Sequence, residues 1–367
     1  MISIASPLLG AEEKDAIFQV LLSGQLAQGA RVAAFEQCFA EICGVEEAVA
    51  VSSGTAALHL ALLAHGVGPG DEVITTAFSF AATANVILLV GATPVFVDIE
   101  PDTYTIDPAS VERAITPRTK AMIPVHLYGH PCNMERLCQL AATHKLAVIE
   151  DACQAHIASI DRKPVGSFGT GCFSFYATKN MTTGEGGMVT TNDPAIAERV
   201  RLLRSHGQQE HYKHHVLGYN LRMTELQAAL GLVQLEKLKG FTERRIAHAT
   251  FLTQQLQGMV QTPVTRPGCS HVFHQYTICV PGNRDEWVNQ LRERGIGTGV
   301  HYPLPIYRQP FYQQNLGKYR CISETAGEAW LPVTEAAARQ VLSLPVHPAL
   351  SEEDLATVAR EVLRLCN

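Results

Sequence analysis

Residues 172–187 read Cys-Phe-Ser-Phe-Tyr-Ala-Thr-Lys-Asn-Met-Thr-Thr-Gly-Glu-Gly-Gly, and their reading decides the fold. The apolar run predicts a β-strand that stops at Lys179, with small, polar and glycine residues beyond it. An amine at the end of a buried strand meets a pocket rather than open solvent. Desolvation there favours the neutral amine, which is a nucleophile. An isolated lysine more often opens a surface loop. Asp151 decides against that reading, because it ends an earlier predicted strand over 146–150. In a parallel α/β sheet, an acid and an amine at two strand ends share the edge where ligands bind.

Outward from that stretch the pattern alternates. Strands are expected at 48–51, 72–76, 94–99 and 120–125, and helices at 56–64, 81–90, 108–115 and 134–144. Two further helices are expected within 11–43, and a strand at 188–191 continues the sheet. This alternation predicts a doubly wound, mostly parallel sheet flanked by helices. Helical patterns then run over 194–205, 223–238 and 240–257. The composition shifts near Gly240. A strand at 275–280 and helices at 285–294, 323–330 and 351–365 predict a smaller C-terminal α/β domain. The expected division is a large domain over 1–240 and a small one over 241–367.

A formal net charge of −6 gives no basic footprint for nucleic acid or an anionic membrane surface. The longest apolar stretch, 77–92, is shorter than the about 20 residues a membrane span needs. Ten cysteines without a C-x-x-C fit free thiols in a reducing compartment. With no leader pattern at Met1, the expectation is a cytoplasmic chain. His211-Tyr212-Lys213-His214-His215 has no acidic or cysteine partner close in sequence and reads as a solvated loop, so no metal is expected. No G-x-S-x-G occurs, which disfavours a serine hydrolase.

Ser52-Ser53-Gly54-Thr55 lies between a predicted strand and helix. Unpaired N–H groups at a helix start favour phosphate, although the same residues serve equally as a helix cap. Anion loop, aromatic, aspartate and lysine together fit pyridoxal 5′-phosphate. That cofactor needs an amine, a carboxylate on its ring nitrogen, a phosphate cradle and a flat contact.

The chain also resembles the DegT/DnrJ/EryC1/StrS family of sugar aminotransferases over nearly its whole length. The stretches that carry the resemblance are Ser52–Ala57, Glu150–His156, Ser174–Asn180 with Gly184–Gly187, and Gly218–Met223; His301-Tyr302-Pro303 and Leu344-Pro345 are weaker. After His156 the family commonly has glycine, whereas this chain has Ile157. The resemblance implies the type I fold of pyridoxal-phosphate transferases. It implies that Lys179 carries the cofactor and shuttles the proton, and that Asp151 pairs with the ring nitrogen. Gln154 would bond the ring's phenolic oxygen, Phe80 would stack on the ring, and Gly54, Thr55 and Ser174 would hold the phosphate. Asn220 would reach that phosphate from the second subunit of a homodimer with shared sites. The implied reaction passes an amino group from an amino acid, L-glutamate, to a nucleotide-linked 3-keto or 4-keto sugar. A cyclitol-ketone aminotransferase, a sugar dehydratase on the same fold and a non-catalytic regulatory protein are the alternatives. The dehydratases of the family carry histidine in place of the lysine, so Lys179 argues against that one.

Overall fold

The computed structural model describes residues 1–322 and 330–366. Among these, eight strands form the central sheet: β1 (Glu47–Val51), β2 (Glu72–Thr76), β3 (Thr93–Val97), β4 (Thr119–Ile123), β5 (Ala147–Asp151), β8 (Thr170–Ser174), β9 (Gly187–Thr191) and β14 (Arg320–Cys321). Their order across the sheet is β1-β9-β8-β5-β4-β2-β3-β14. The run from β8 to β14 is parallel. β9 lies antiparallel to both β8 and β1, so it turns back beside the lysine strand rather than extending the parallel order.

Side chains alternate across the sheet as strand geometry requires. Val49, Val51, Cys172 and Val189 enter one core with helix α3 (Gly54–Ala64). Ala48, Ala50, Phe173 and Met188 enter the core on the other face, against Phe35 and Phe39 of α2 (Ala30–Cys43). α1 (Ala11–Ser23), α4 (Ala82–Leu89), α5 (Pro108–Ala114), α6 (Met134–His144) and α7 (Pro194–Arg204) complete the layers. Helix starts follow local chemistry. Asp107 and Asp193 each accept N–H bonds at an N-cap and are followed by proline, whose missing N–H costs nothing there.

The two helices expected over 223–257 are one, α8 (Glu225–Leu256), which runs through Gly240. Glycine in a helix interior costs only about 1 kcal/mol relative to alanine. α8 offsets that by packing along α1 and α2 and then inserting Ala249, Leu252 and Leu256 into a separate core. That core is built with β13 (Tyr276–Cys279), β15 (Val341–Leu344), α9 (Arg284–Glu293) and α12 (Glu352–Cys366). Residues 240 and 241 therefore lie inside one continuous helix.

Short elements complete the description. β6 (Ser159–Ile160), β7 (Lys163–Pro164) and β12 (Cys269–Ser270) make a small sheet, and β10 (Gln208–Glu210) pairs with β11 (Lys213–His214), so the histidine-rich stretch expected to be a loop contains a short strand. α10 (Pro310–Gln313) and α11 (Pro332–Gln340) flank residues 323–329, so the helix expected at 323–330 lies almost wholly outside the described residues. Among the described residues no helix is long and apolar enough to cross a membrane, and no group of His, Cys, Asp and Glu could hold a metal ion.

Candidate active site

β5 delivers Asp151 to the carboxyl edge of the sheet, as expected. β8 stops at Ser174, five residues short of Lys179. The lysine sits instead in a turn whose backbone N–H donates to the Tyr176 carbonyl at 2.9 Å. Gly184–Gly187 then bring the chain back, and Gly186 accepts from Phe175 N–H. The turn, not the strand end, sets the position of the amine.

Asp151 and Lys179 line one cavity of about 540 Å³, together with Gly54, Thr55, Phe80, Gln154 and Ser174. Asn220 is not in its wall. It is exposed and bridges Ser205 on the far side of the 206–219 loop. Ser79, Thr83, Cys153, Tyr176, His274, His301 and Tyr302 also line the cavity. Of these, Cys153 and Tyr176 fall inside the stretches that carry the resemblance, and His301 and Tyr302 in the weaker His-Tyr-Pro match. Thr83 is one residue in an alanine-rich helix start and carried no sequence signal.

α3 begins at the cavity. Ser53 caps it, with its Oγ accepting from Ala56 N–H at 3.1 Å. The first intrahelical bond is Ala57 N–H to Ser53 O, so the N–H groups of Gly54 and Thr55 have no helical partner. A Cβ at Gly54 would lie 2.7 Å from Ser174 Cβ and 2.9 Å from Cys153 Sγ, so only glycine lets this backbone approach β8. A Cβ at Gly187 would lie 2.3 Å from Ser53 O, which holds the start of β9 against the same cap.

Asp151 is buried, and both of its oxygens are held. Oδ2 accepts from Thr83 Oγ1 at 2.7 Å and Oδ1 from Cys153 N–H at 3.2 Å. Ser79 Oγ in turn contacts Thr83 Oγ1 at 2.9 Å. Gln154 Oε1 accepts from Tyr128 N–H at 2.9 Å, which leaves Nε2 as the group that donates to Tyr302 Oη at 3.2 Å. The same Tyr128 donates its hydroxyl to the His301 carbonyl. Phe80 is 61% exposed, and its ring centroid lies 6.3 Å from that of Tyr302 at 40°, so the two rings flank the opening.

Burial pushes the Lys179 amine below its usual value, and Cys153 and Asp151 oppose that only in part. Burial and then Lys179 hold His301 down at about 4. Burial, then Lys179 and Arg245, hold His274 well below the usual histidine range. His156 is pressed to about 3 by burial and Lys179, between the rings of Phe173 and Phe175. The next residue, Ile157, adopts φ +58°, the left-handed conformation that glycine would take without strain. The site thus holds an amine disposed to be neutral, an anchored carboxylate, neutral imidazoles and an open helix N-terminus.

The profile of the DegT/DnrJ/EryC1/StrS aminotransferase family matches residues 7–363. The chain is 46% identical over 350 residues to the pleiotropic regulatory protein of Geobacillus stearothermophilus, covering 94% of this chain and 91% of that one. It is 43% identical over 346 residues to the dTDP-3-amino-3,4,6-trideoxy-alpha-D-glucose transaminase of Streptomyces venezuelae, covering 93% and 89%. Among solved structures, DesV of S. venezuelae superposes with a TM-score of 0.92 at 41% identity, covering 97% of this chain and 95% of that one. The α/β transferase fold expected from the resemblance is the fold present.

Proposed function

The chain belongs to the DegT/DnrJ/EryC1/StrS aminotransferase family, and on that premise we propose that it moves an amino group from L-glutamate to a ketone on a nucleotide-linked sugar, with pyridoxal 5′-phosphate as cofactor. The observation that carries this reading is one cavity that combines Lys179, Asp151 and the open N-terminus of α3.

The residues present fit the cofactor. The free N–H groups of Gly54 and Thr55, with the Ser174 hydroxyl, would hold its phosphate, and the close approach at Gly54 leaves no side chain in the way. Asp151 would hold a proton on the ring nitrogen, and the Thr83 bond keeps that carboxylate in place. Gln154 would offer Nε2 to the ring oxygen, its Oε1 being committed to Tyr128. Phe80 would cover the ring. Once bound, the cofactor supplies a carbonyl that takes up an amine and a ring that accepts the electron pair of the adjacent carbon. Lys179 is the group that removes a proton from the substrate carbon and returns one, a role that a pKa held below the usual lysine value by burial favours.

Asn220 would act from a second copy of the chain, in a homodimer with shared sites. Its exposure away from its own cavity supports that reading. The relative named as a regulatory protein does not favour a non-catalytic role, because Asp151, Gln154 and Lys179 are intact and assembled here.

The test loads the protein with the amine form of the cofactor and screens keto-sugar nucleotides and free cyclitol ketones for return of the aldehyde form's absorbance. L-glutamate should regenerate the amine form. Turnover of cyclitol ketones alone would replace the nucleotide-sugar reading, and no response to L-glutamate would remove the donor assignment.

A further inference from the structure

Lys179 forms part of the wall of a second, much smaller cavity, of about 20 Å³. Arg245 of α8 lines the same space. Ser6 and Thr178 contribute to its walls, and Phe241 and Pro348 close it with apolar surface. A volume of this size admits one water-sized occupant.

Arg245 is only 5% exposed. One guanidinium nitrogen, Nη1, donates to the carbonyls of Phe273 at 3.2 Å and His274 at 3.3 Å. Nε has no partner among the described residues. Burial is the one influence resolved on its pKa, which falls to about 10, with no carboxylate raising it. The groups that feel its field are themselves basic: His156, His274, His248 and His347. Lys179 adds a second amine, and Asp151 and Cys153 act on that lysine. A buried guanidinium without a counter-charge is costly. Water in the cavity would leave the guanidinium charge uncompensated, whereas a small anion compensates it.

We propose that this cavity binds one monovalent anion of chloride size, held by Arg245 and acting on Lys179 through the wall they share. The anion's position favours the protonated state of the lysine nitrogen and so couples the halide concentration to the titration of the site. The site itself stands without the cofactor assignment; only this consequence rests on it.

Bromide tests the site. Crystals of the holoenzyme soaked in sodium bromide should show an anomalous peak against Arg245. In solution, the pH titration of the cofactor's visible absorbance is compared in sodium chloride and sodium gluconate at equal ionic strength, on the order of 0.1 M. Chloride should raise the midpoint by about 0.3 unit or more, a twofold change in the protonated-to-neutral ratio. Arg245→Met should abolish the difference, and the two wild-type measurements decide the matter if that variant does not fold. A bromide peak without a chloride-dependent shift, a water in the cavity, or a carboxylate of a second copy against Arg245 overturns the proposal. A wild-type protein with no visible cofactor band would count against the cofactor reading instead, while the bromide peak still reports on the site.

Discussion

Glu150→Gln should destabilise the protein severely, although the change is nearly isosteric and lies beside the site rather than in it. Glu150 is fully buried on β5, next to Asp151. Its Oε1 accepts from Phe168 N–H at 2.8 Å and Gly169 N–H at 2.9 Å. Its Oε2 accepts from Gly166 N–H at 2.8 Å and from His126 Nε2 at 3.1 Å. The imidazole cannot switch roles, because its Nδ1 already accepts from Cys132 N–H at 3.0 Å. A glutamine can satisfy two of these four donors; whichever way its amide turns, the NH₂ faces the other two. Each lost bond to a charged group costs about 1.5–3 kcal/mol, which makes the loss about 3–6 kcal/mol. For a chain of 367 residues the unfolding entropy is about 0.8 kcal/mol/K, so Tm should fall by about 4–8 °C. Urea unfolding at fixed protein concentration measures the free energy, and calorimetry the midpoint. A loss below about 1 kcal/mol would refute the argument that a carboxylate organises the 166–169 turn.

Other substitutions address the site. Thr83→Val removes one of the two bonds to Asp151 and should lower kcat by about tenfold or more while the cofactor stays bound, since about 1.5–3 kcal/mol of support for the charged carboxylate is lost; unchanged half-reaction rates would show that Asp151 does not need the anchor. Lys179 has a folded pKa below its unfolded value, so the unfolded chain binds more protons in the window between the two. The stability of the cofactor-free protein should therefore rise with pH across that window, up to the usual lysine value, and Lys179→Met should flatten the slope; parallel urea midpoints for the two proteins as pH approaches the usual lysine value would contradict this. Mixing Lys179→Ala with Asn220→Asp subunits should restore turnover that neither has alone, provided exchange is complete and Asn220→Asp is itself impaired, because one site of each mixed dimer is then intact. Activity at the parental average would confine Asn220 to its own chain.

Much of this was legible in the sequence because it rests on local chemistry. Asp-Pro at 107–108 and 193–194 fixes helix starts, and the alternation of Val49, Val51 and Ala48, Ala50 fixes a two-faced strand. Asp151, Gln154, Ser174 and Lys179 fall close together in sequence, and the fold brings them together at one cavity. What escaped the sequence depends on long-range packing. Gly240 looks like a break, and only the contacts at both ends of α8 explain why the helix continues. Thr83 and Asp151 are 68 residues apart, and the bond between them exists because α4 begins at the sheet edge where β5 ends. The turn that carries Lys179 looked like strand, because Phe173 and Phe175 are core on both sides of the β8 end.

Trapping of the cofactor on the chain tests the central claim most directly. Borohydride should abolish the visible band of the holoenzyme, and mass mapping of the reduced protein should place the cofactor's mass on the peptide containing Lys179. The same mass on a peptide containing Lys163 or Lys213, with none on Lys179, would contradict the account.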